Sequence, residues 1–393
     1  MTDDNAPRRT PIYDKHQELG AVTDSLCGWE LPMYYESNED RRDEYDIPRH
    51  LDESSAVGVE HLSTRETVSI SDVTVLAPIE ICGPAAPGFV QHAFTNDMEL
   101  DVGQVRYTIL LNADGENMGD LTVTRLDDDR YFAFTLGGEE IEKQTEWLRS
   151  IAPADVTVNN LDDSYTNISL WGPRAGEVVS PLTDADMSRD GFPYYQSKQL
   201  EVAGVPAVLL RISYVGEFGW ELWTRPGHQH QLWEALWESG QEHGITPLGL
   251  DALLGMGLEK GYRLPGYDMG PENTPFEAKL HFTVDMDTDF VGKDTLERAL
   301  DEGVDQRLAC ITMDTKSVLP DLGEPVLVDG DFAGKVNRNG YGYSVQENIV
   351  TAYLPAEAAN PGTSVSVESN GEQYPATVRE EPLFDPDNTR MRD

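Results

Sequence analysis

Two glutamates, Glu217 and Glu221, stand in the most chemically informative stretch of the chain. They belong to residues 211–222, Arg-Ile-Ser-Tyr-Val-Gly-Glu-Phe-Gly-Trp-Glu-Leu, where a strand is expected to turn at Gly216 and a second strand to start at Gly219. Acidic side chains are rarely buried unless a partner pairs with them. A ligand edge with two parallel N–H donors, such as a pterin or a guanidinium, is one such partner. The alternative is an ordinary hairpin whose glutamates are exposed.

The chain is strongly acidic, with a formal net charge of −42 from 71 acidic and 29 basic residues. The acids are scattered between apolar segments, as at 127–129 and 162–163, and do not form a tail. This distribution indicates a surface adapted to molar salt, where screening acts over about 3 Å. We therefore predict a halophilic, cytoplasmic protein. The charge disfavours nucleic acid and anionic membranes as partners. The sequence has no run of about 18 apolar residues, so no membrane span is predicted.

Common catalytic and metal-binding motifs do not occur in the sequence. Cys27, Cys82 and Cys310 are far apart without C-x-x-C spacing, and the eight histidines form no metal-spaced cluster. There is no Walker A loop, no G-x-G-x-x-G after a strand, no G-x-S-x-G elbow and no H-E-x-x-H helix. The sequence therefore predicts neither a metal site nor nucleotide binding.

The elements that must position the glutamates are interleaved short strands and helices. Apolar runs with period two predict strands at 78–81, 121–124 and 131–134. Helical periodicity and turn residues predict helices at 86–95, 139–150 and 229–242. Residues 10–60 are expected to form a helix and connecting loops, and the polar stretch 36–55 among them is interpreted as an insertion or a mobile loop.

The fold class predicted from this order is α+β, because the strands lack the long regular crossovers of a parallel α/β fold. Residues 1–300 are expected to form the body, in two subdomains. From Arg307 onward helices are not expected, and short strands with glycine turns predict a small C-terminal β-barrel within 301–393.

Short segments in a fixed order extend this interpretation nearly end to end. They lie at 10–13, 28–32, 65–68, 79–86, 105–108, 111–115, 119–126, 211–222, 247–249, 258–261, 266–268, 274–278, 290–293, 339–345 and 382–386. Among them are Gly-Trp-Glu-Leu-Pro at 28–32 and Asn-Gly-Tyr-Gly-Tyr-Ser-Val at 339–345. Together they resemble the T-protein (aminomethyltransferase) family of the glycine cleavage system, and more closely still the folate-binding half of dimethylglycine and sarcosine dehydrogenases.

The resemblance implies a ring of β-rich domains around a central pocket that holds tetrahydrofolate pterin-first. It implies an enzyme that moves a methyl or methylene unit from a small methylated amine or aminomethyl donor to tetrahydrofolate. The partners it implies are a lipoyl carrier protein or a separate FAD-dependent oxidase, since the chain is expected to begin directly at the folate-binding part.

Asp120 is the catalytic residue that the resemblance implies. It precedes an alternating strand, and the matching family aspartate lies near the folate nitrogens and assists transfer. Its role is that of a proton relay or of fixed negative charge; the alternative is an exposed turn aspartate. Many family members carry a second aspartate at the preceding position, where this chain has Gly119.

The remaining site residues follow from the same segments. Glu221 and Glu217 compete for the pterin edge, with the choice leaning to Glu221. Tyr214 is a second catalytic candidate, whose hydroxyl would contact the substrate or Asp120. The alternative is that Tyr214 is an aromatic residue of the core.

Three further residues are predicted to bind the cofactor, namely Tyr107, Arg106 and Asn112. Arg106 would neutralise a substrate carboxylate or the glutamate tail of folate, or else form a surface ion pair.

Two departures from the family pattern leave other functions open. Leu253 and Gly257 stand where the family helix carries arginines. The alternatives are a non-catalytic folate-binding protein of the iron–sulfur-maintenance kind and a channelling subunit of an amine oxidase. The former has a cysteine motif, whereas residues 259–263, Glu-Lys-Gly-Tyr-Arg, contain no cysteine.

Overall fold

The computed structural model describes residues 6–48 and 55–392. The first ten strands are β1 (Arg8–Arg9), β2 (Ala21–Leu26), β3 (Trp29–Tyr35), β4 (Val68–Asp72), β5 (Leu76–Cys82), β6 (Val105–Leu111), β7 (Asn117–Asp127), β8 (Arg130–Leu136), β9 (Thr157–Asn160) and β10 (Thr166–Trp171). The others are β11 (Ser197–Val202), β12 (Val205–Leu210), β13 (Gly219–Thr224), β14 (Ile245–Pro247), β15 (Gln306–Met313), β16 (Pro325–Val328), β17 (Asp331–Gly342), β18 (Glu347–Pro355), β19 (Ser364–Ser369) and β20 (Glu372–Arg379).

The helices lie between these strands and on the faces of the sheets. They are α1 (Tyr13–Glu18), α2 (Ser55–Glu66), α3 (Ala86–Ala93), α4 (Glu139–Ile151), α5 (Ala175–Val179), α6 (Pro226–Gly240), α7 (Leu250–Glu259), α8 (Lys293–Glu302) and α9 (Thr389–Arg392). Short 3-10 helices occur at Glu36–Glu44, Ser180–Leu182, Gln241–His243 and His281–Thr283. No helix of the described ranges is long and apolar enough to cross a membrane.

Two sheets build the body of the molecule. The first has six strands in the order β11-β12-β13-β10-β4-β14, and α5 and α6 pack on it. The second has five strands in the order β6-β7-β8-β5-β9, with α3 and α4 on one face. Every residue of β13 is buried, which shows that both faces of this strand are covered. Trp220, Leu222 and Trp223 supply most of this burial, and Glu221 and Thr224 are buried polar residues beside them.

The uncovered faces of the two sheets meet in one apolar cluster. Val105, Phe132 and Phe134 of the five-stranded sheet pack there against Leu210 and Trp223 of the six-stranded sheet. The rings of Phe134 and Trp223 are 4.5 Å apart between centroids. Side chains an even number of positions away from these along each strand face the same space between the sheets.

A closed barrel of six antiparallel strands, in the order β15-β18-β17-β16-β19-β20, lies at the C-terminal side. Its interior is filled by small and branched apolar side chains such as Ala309, Ile311 and Val350, as expected of a small barrel. The first three strands of the chain form a separate three-stranded sheet in the order β1-β3-β2.

Most predicted elements are present, and the α+β class with a C-terminal barrel is confirmed. Two expectations were wrong. Residues 21–35 form the hairpin β2–β3 instead of loops, and α9 is a helix beyond the barrel strands. Within 36–55, the described part holds the 3-10 helix at 36–44, where Asn38 is buried and donates to Glu60 at 3.0 Å; residues 49–54 lie outside the described residues. The division at residue 300 stays a prediction.

Candidate active site

The segment that carries the two glutamates folds differently from the predicted hairpin. β12 ends at Leu210, and residues 211–218 form an irregular loop before β13. The Ser213 hydroxyl accepts the backbone N–H groups of Gly216 and Glu217 at 3.0 and 3.1 Å, which satisfies the loop locally in place of a strand ladder. Gly216 has a φ of +81°, and a Cβ there would lie 2.7 Å from the Lys260 side chain. A larger residue at 216 is therefore excluded by both backbone and space.

Glu217 is buried in a network of cations. Arg65 Nη1 lies 3.0 Å and Arg390 Nε 2.7 Å from its Oε1. The same Arg65 pairs with Glu259 at 3.1 Å, which in turn contacts His61 at 3.2 Å. This network joins the body to α9, and it occupies the carboxylate of Glu217. Glu217 is thus the structural member of the glutamate pair.

Glu221 is buried on β13 without such compensation. Its one hydrogen-bond partner among the described residues is Trp223, whose Nε1 donates to Oε2 at 3.2 Å. Burial raises the pKa of Glu221 from 4.5 to about 7. A buried acid without a cation is costly, and such groups concentrate at functional sites. The exposed-hairpin alternative is wrong for both glutamates, which are 1% and 6% exposed.

Asp120 lies on β7 and is held by a neighbouring tyrosine. The Tyr107 hydroxyl, on β6, donates to Asp120 Oδ2 at 2.6 Å. Burial raises the pKa of Asp120, and the hydrogen bond from Tyr107 opposes that rise. Burial also raises the pKa of Tyr107 well above its usual value, with the charge of Asp120 acting in the same direction. Tyr107 therefore stays protonated and serves as a fixed donor to Asp120.

The strand register shows that Asp120 and Glu221 face the same space. Asp120 pairs with Ile109, and Thr122 pairs with both Tyr107 and Phe134, so these side chains share the face of the sheet that meets the other sheet. Glu221 shares a face with Trp223 on β13, and Trp223 packs against Phe134 across the gap. The two sheets thus bring one carboxylate each to their common interface.

Tyr214 borders the same region from the irregular loop. Its hydroxyl donates to the Arg263 carbonyl at 3.2 Å, and its ring lies 5.7 Å from the ring of Tyr262. Burial raises the pKa of Tyr214, to which the charge of Asp120 adds. The Tyr214 ring also fills the space beside Gly257, where a Cβ would collide with it. Glycine at position 257 of α7 therefore goes together with the close packing of the Tyr214 ring.

The remaining two candidates occupy different places. Arg106 lies beside Tyr107 on β6, and its Nε is buried with no acceptor among the described residues. Asn112 lies in the turn after β6, where its Oδ1 accepts the N–H groups of Asp114 and Glu116 at 3.0 Å. Its amide nitrogen donates to the Glu116 side chain at 2.7 Å. The structure thus engages Asn112 in a turn and does not bring it together with Asp120 or Glu221.

Several residues of the region were missed by sequence reasoning. Phe282 stacks on Tyr107 at 6.2 Å between ring centroids. Arg65 and Arg390 neutralise Glu217 from positions distant in the sequence. No local pattern marks these residues. The Asp-Pro-Asp-Asn run at 385–388 ahead of α9 was the one available helix-start signal.

In class, the molecule is an α+β protein with two sheets and a C-terminal barrel, in which carboxylates and a tyrosine lie at the interface of the two sheets. The sequence matches the family model of the GCVT N-terminal domain over residues 12–288 and that of the glycine cleavage T-protein C-terminal barrel domain over 306–385. The chain belongs to the glycine cleavage T-protein family, as the sequence resemblance implied.

Known proteins resemble the chain in sequence and in fold. It is 32% identical to an aminomethyltransferase of Symbiobacterium thermophilum, over 96% of this chain and 97% of that protein. It is 31% identical to the human mitochondrial dimethylglycine dehydrogenase, over 93% of this chain but only 43% of that protein. The crystal structure of the glycine cleavage system aminomethyltransferase T from Bartonella henselae superimposes with a TM-score of 0.84 at 25% identity, covering 96% of this chain and 98% of that one. This match confirms the predicted T-protein-like architecture.

Proposed function

We propose that the protein is a tetrahydrofolate-dependent one-carbon transferase that takes a methyl or methylene unit from a small amine-type donor. The observation that carries this proposal is Glu221, a buried carboxylate without a cation that faces the same inter-sheet space as Asp120. Membership of the T-protein family supports the choice of folate as the acceptor.

The residues present fit a bound pterin. No described group donates to Oε1 of Glu221, and its Oε2 has the single donor Trp223. A pterin edge offers two parallel N–H groups, which match a carboxylate that lacks donors. Glu217 does not offer this match, since Arg65 and Arg390 already hold it. We therefore assign recognition of the pterin to Glu221.

Tetrahydrofolate, when bound, supplies the nucleophilic nitrogen that accepts the one-carbon unit. Asp120 is the group of this chain suited to the proton or the positive charge that accompanies transfer. Its Oδ2 is fixed by the Tyr107 hydroxyl, which leaves Oδ1 as the oxygen that exchanges a proton or offers its negative charge. The raised pKa of Asp120 brings its protonation closer to neutral pH, as proton exchange requires.

Tyr214 and Tyr107 have supporting roles in this proposal. Tyr107 orients Asp120, and Tyr214 closes the region on the side of α7 by packing against Gly257. Because the Tyr214 hydroxyl is bonded to a backbone carbonyl, Tyr214 acts here through its position. Asn112 is left out of the proposed site.

The donor belongs to the class of small methylated amines or aminomethyl compounds. The name aminomethyltransferase, carried by a relative of nearly the same length, favours an aminomethyl donor presented by a lipoyl carrier protein. The similarity to part of a dimethylglycine dehydrogenase favours a second candidate, in which the protein receives its one-carbon unit from a separate FAD-dependent oxidase. Cytoplasmic location and adaptation to high salt stay predictions from the charge of the chain.

The test is to incubate the pure protein at molar KCl with tetrahydrofolate and a panel of donors, and to identify the folate products by mass spectrometry. We expect a one-carbon folate product with at least one methylamine or aminomethyl donor, and loss of that product in Asp120→Asn. Activity that appears only when an amine oxidase is added identifies the second candidate. Folate binding without product under any of these conditions would sink the transferase proposal.

A further inference from the structure

Tyr195 has an unusual backbone conformation at the edge of the proposed site. Its φ is +60°, in the left-handed region that a bulky residue rarely adopts. Its N–H donates to the Arg211 carbonyl at 3.1 Å, and its carbonyl accepts from Val105 N–H at 2.9 Å. These bonds tie it between the six-stranded sheet and the edge strand β6. Such strain persists where the surroundings enforce it, and it is most often found at functional sites.

Tyr195 is 37% exposed. Tyr194 lies 4.3 Å away between ring centroids. Phe282, whose ring stacks on that of Tyr107, is 59% exposed. Tyr107 itself contacts Asp120. These partly exposed aromatic side chains form two pairs, Tyr107 with Phe282 beside Asp120 and Tyr194 with Tyr195, and the backbone bond from Val105 to Tyr195 connects the segments that carry them; together they are called the aromatic surface.

Two arginines without a carboxylate partner lie beside this surface. Arg106 Nε is buried and lacks an acceptor within the described ranges. The guanidinium of Arg392, on α9, lies over the Tyr194 ring at 5.9 Å from its centroid. Within residues 6–48 and 55–392, neither arginine forms an ion pair.

Both arginines lie next to Tyr195 in the structure. Arg106 directly follows Val105, whose N–H donates to the Tyr195 carbonyl, and Arg392 lies over the ring of Tyr194, which packs against the ring of Tyr195. Burial raises the pKa of Tyr195, and Tyr194, Arg392 and Arg106 act in the opposite direction. In a chain with a net charge of −42, two cations without acidic partners at one place indicate an anionic ligand.

We propose that Arg106, Tyr195 and Arg392 form a carboxylate subsite at the mouth of the folate site. The two guanidiniums hold the carboxylate. The ring of Tyr195, fixed by its strained backbone, offers a flat surface to the part of the ligand next to that carboxylate. The segment after the barrel thus contributes a ligand-binding residue, Arg392, in addition to the structural Arg390. This inference rests on the proposed function, because it places the subsite next to Asp120 and Tyr107.

The carboxylate has two possible sources, which share this chemistry. Tetrahydrofolate carries a benzoyl-glutamate tail, with an aromatic ring next to its carboxylates. A donor such as an N-methylated amino acid carries one carboxylate and no ring. The experiment has one arm for each source.

The experiment compares the wild type with Arg106→Gln/Arg392→Gln and with Arg307→Gln, a control for the loss of a positive charge elsewhere on the protein. Arg307 is exposed on β15 of the barrel, away from Tyr195. Calorimetry at constant molar KCl measures Kd for tetrahydrofolate and for a tetrahydropterin without the tail. If the tail is the source, the double variant weakens tetrahydrofolate binding by about tenfold or more and leaves the tetrahydropterin unchanged.

The second arm measures KM for two donors, N-methylglycine and a neutral methylamine. If the donor is the source, the double variant raises KM for N-methylglycine alone and keeps the Kd for tetrahydrofolate. Tyr195→Asn removes the ring yet tolerates the left-handed φ, and circular dichroism checks its folding. We expect it to weaken the same ligand as the double variant does.

Two results have separate meanings for the two proposals. A double variant that matches Arg307→Gln in both arms overturns the carboxylate subsite and leaves the transferase proposal intact. A wild type that binds neither tetrahydrofolate nor the tetrahydropterin overturns the proposed function itself.

Discussion

Replacing Glu221 by glutamine is predicted to stabilise the ligand-free protein. Burial raises the pKa of Glu221 from 4.5 to about 7 in the folded state. Ionising Glu221 in the folded state therefore lowers the free energy of unfolding. This loss is absent at low pH, grows as the pH rises from 4.5 to about 7, and reaches its full size above the folded-state pKa. At about 1.4 kcal/mol for each tenfold change in proton affinity, the full cost is about 3 kcal/mol.

The assay is urea unfolding of the wild type and Glu221→Gln at constant molar KCl. The variant should gain less than about 1 kcal/mol in free energy of unfolding near pH 5 and about 3 kcal/mol near pH 8. The growth of this difference with pH is the specific signature of a buried, unpaired carboxylate. A variant that is less stable than the wild type at about pH 8 would refute the reasoning, because it would mean that a cation compensates Glu221.

The same substitution should weaken the binding of tetrahydrofolate. The charged carboxylate is the form that accepts the pterin N–H groups, so wild-type Kd should rise about tenfold from about pH 8 to about pH 6. Glu221→Gln should bind about a hundredfold more weakly near pH 8, with the pH dependence lost. A wild-type Kd that does not vary with pH would contradict the assignment of Glu221 to the pterin.

Three further predictions concern other features of the molecule. Glu217→Gln should destabilise the protein by about 3–5 kcal/mol in the same urea assay, because it leaves Arg65 and Arg390 without their shared carboxylate; an unchanged stability would show that the network contributes nothing. Tyr107→Phe removes the hydrogen bond that lowers the pKa of Asp120, so the acidic limb of the kcat/KM profile should move to higher pH. An unmoved limb would exclude Asp120 as the titrating group. Lowering KCl from molar to about 0.1 M should lower Tm as the screening length grows to about 10 Å, and a constant Tm would argue against halophilic adaptation.

The class of fold could be predicted from the sequence, because it depends on local patterns. A period-two apolar run predicted the strand next to Asp120, and the carboxylates at 217 and 221 stand out in an apolar context. Patterns within a few residues of each other were enough for these two steps. The order of the family segments along the chain then implied the T-protein architecture, which the superposition confirms.

The difference between Glu217 and Glu221 was not accessible from the sequence. The two glutamates differ because, of the two, only Glu217 pairs with Arg65 and Arg390, and these arginines lie 152 and 173 positions from Glu217 in the sequence. Contacts over such separations are set by packing of the whole body. The first part of the loop, 211–215, was likewise predicted as a strand that turns at Gly216, since its residues suit a strand and the bonds to Ser213 cannot be inferred from spacing.

The helix α9, with Arg390 and Arg392, shows a third limit of prediction from the sequence. Residues 389–392 follow an acidic turn, where Asp385 accepts the N–H groups of Thr389 and Arg390 at 3.1 and 3.2 Å. This turn directs Arg390 to Glu217 and brings Arg392 to Tyr194. A short helix of four residues has no detectable periodicity, so its contribution to the site emerges only in the fold.

The central claim is that Glu221 binds the pterin and Asp120 serves the chemistry. The most direct measurement is tetrahydrofolate Kd by calorimetry and single-turnover product formation, both at about pH 8, for the wild type, Glu221→Gln and Asp120→Asn. We predict that Glu221→Gln loses about a hundredfold in Kd, whereas Asp120→Asn keeps its Kd and loses a factor of about 100 or more in rate. Equal losses of binding in both variants, or full turnover in Asp120→Asn, would contradict this division of roles.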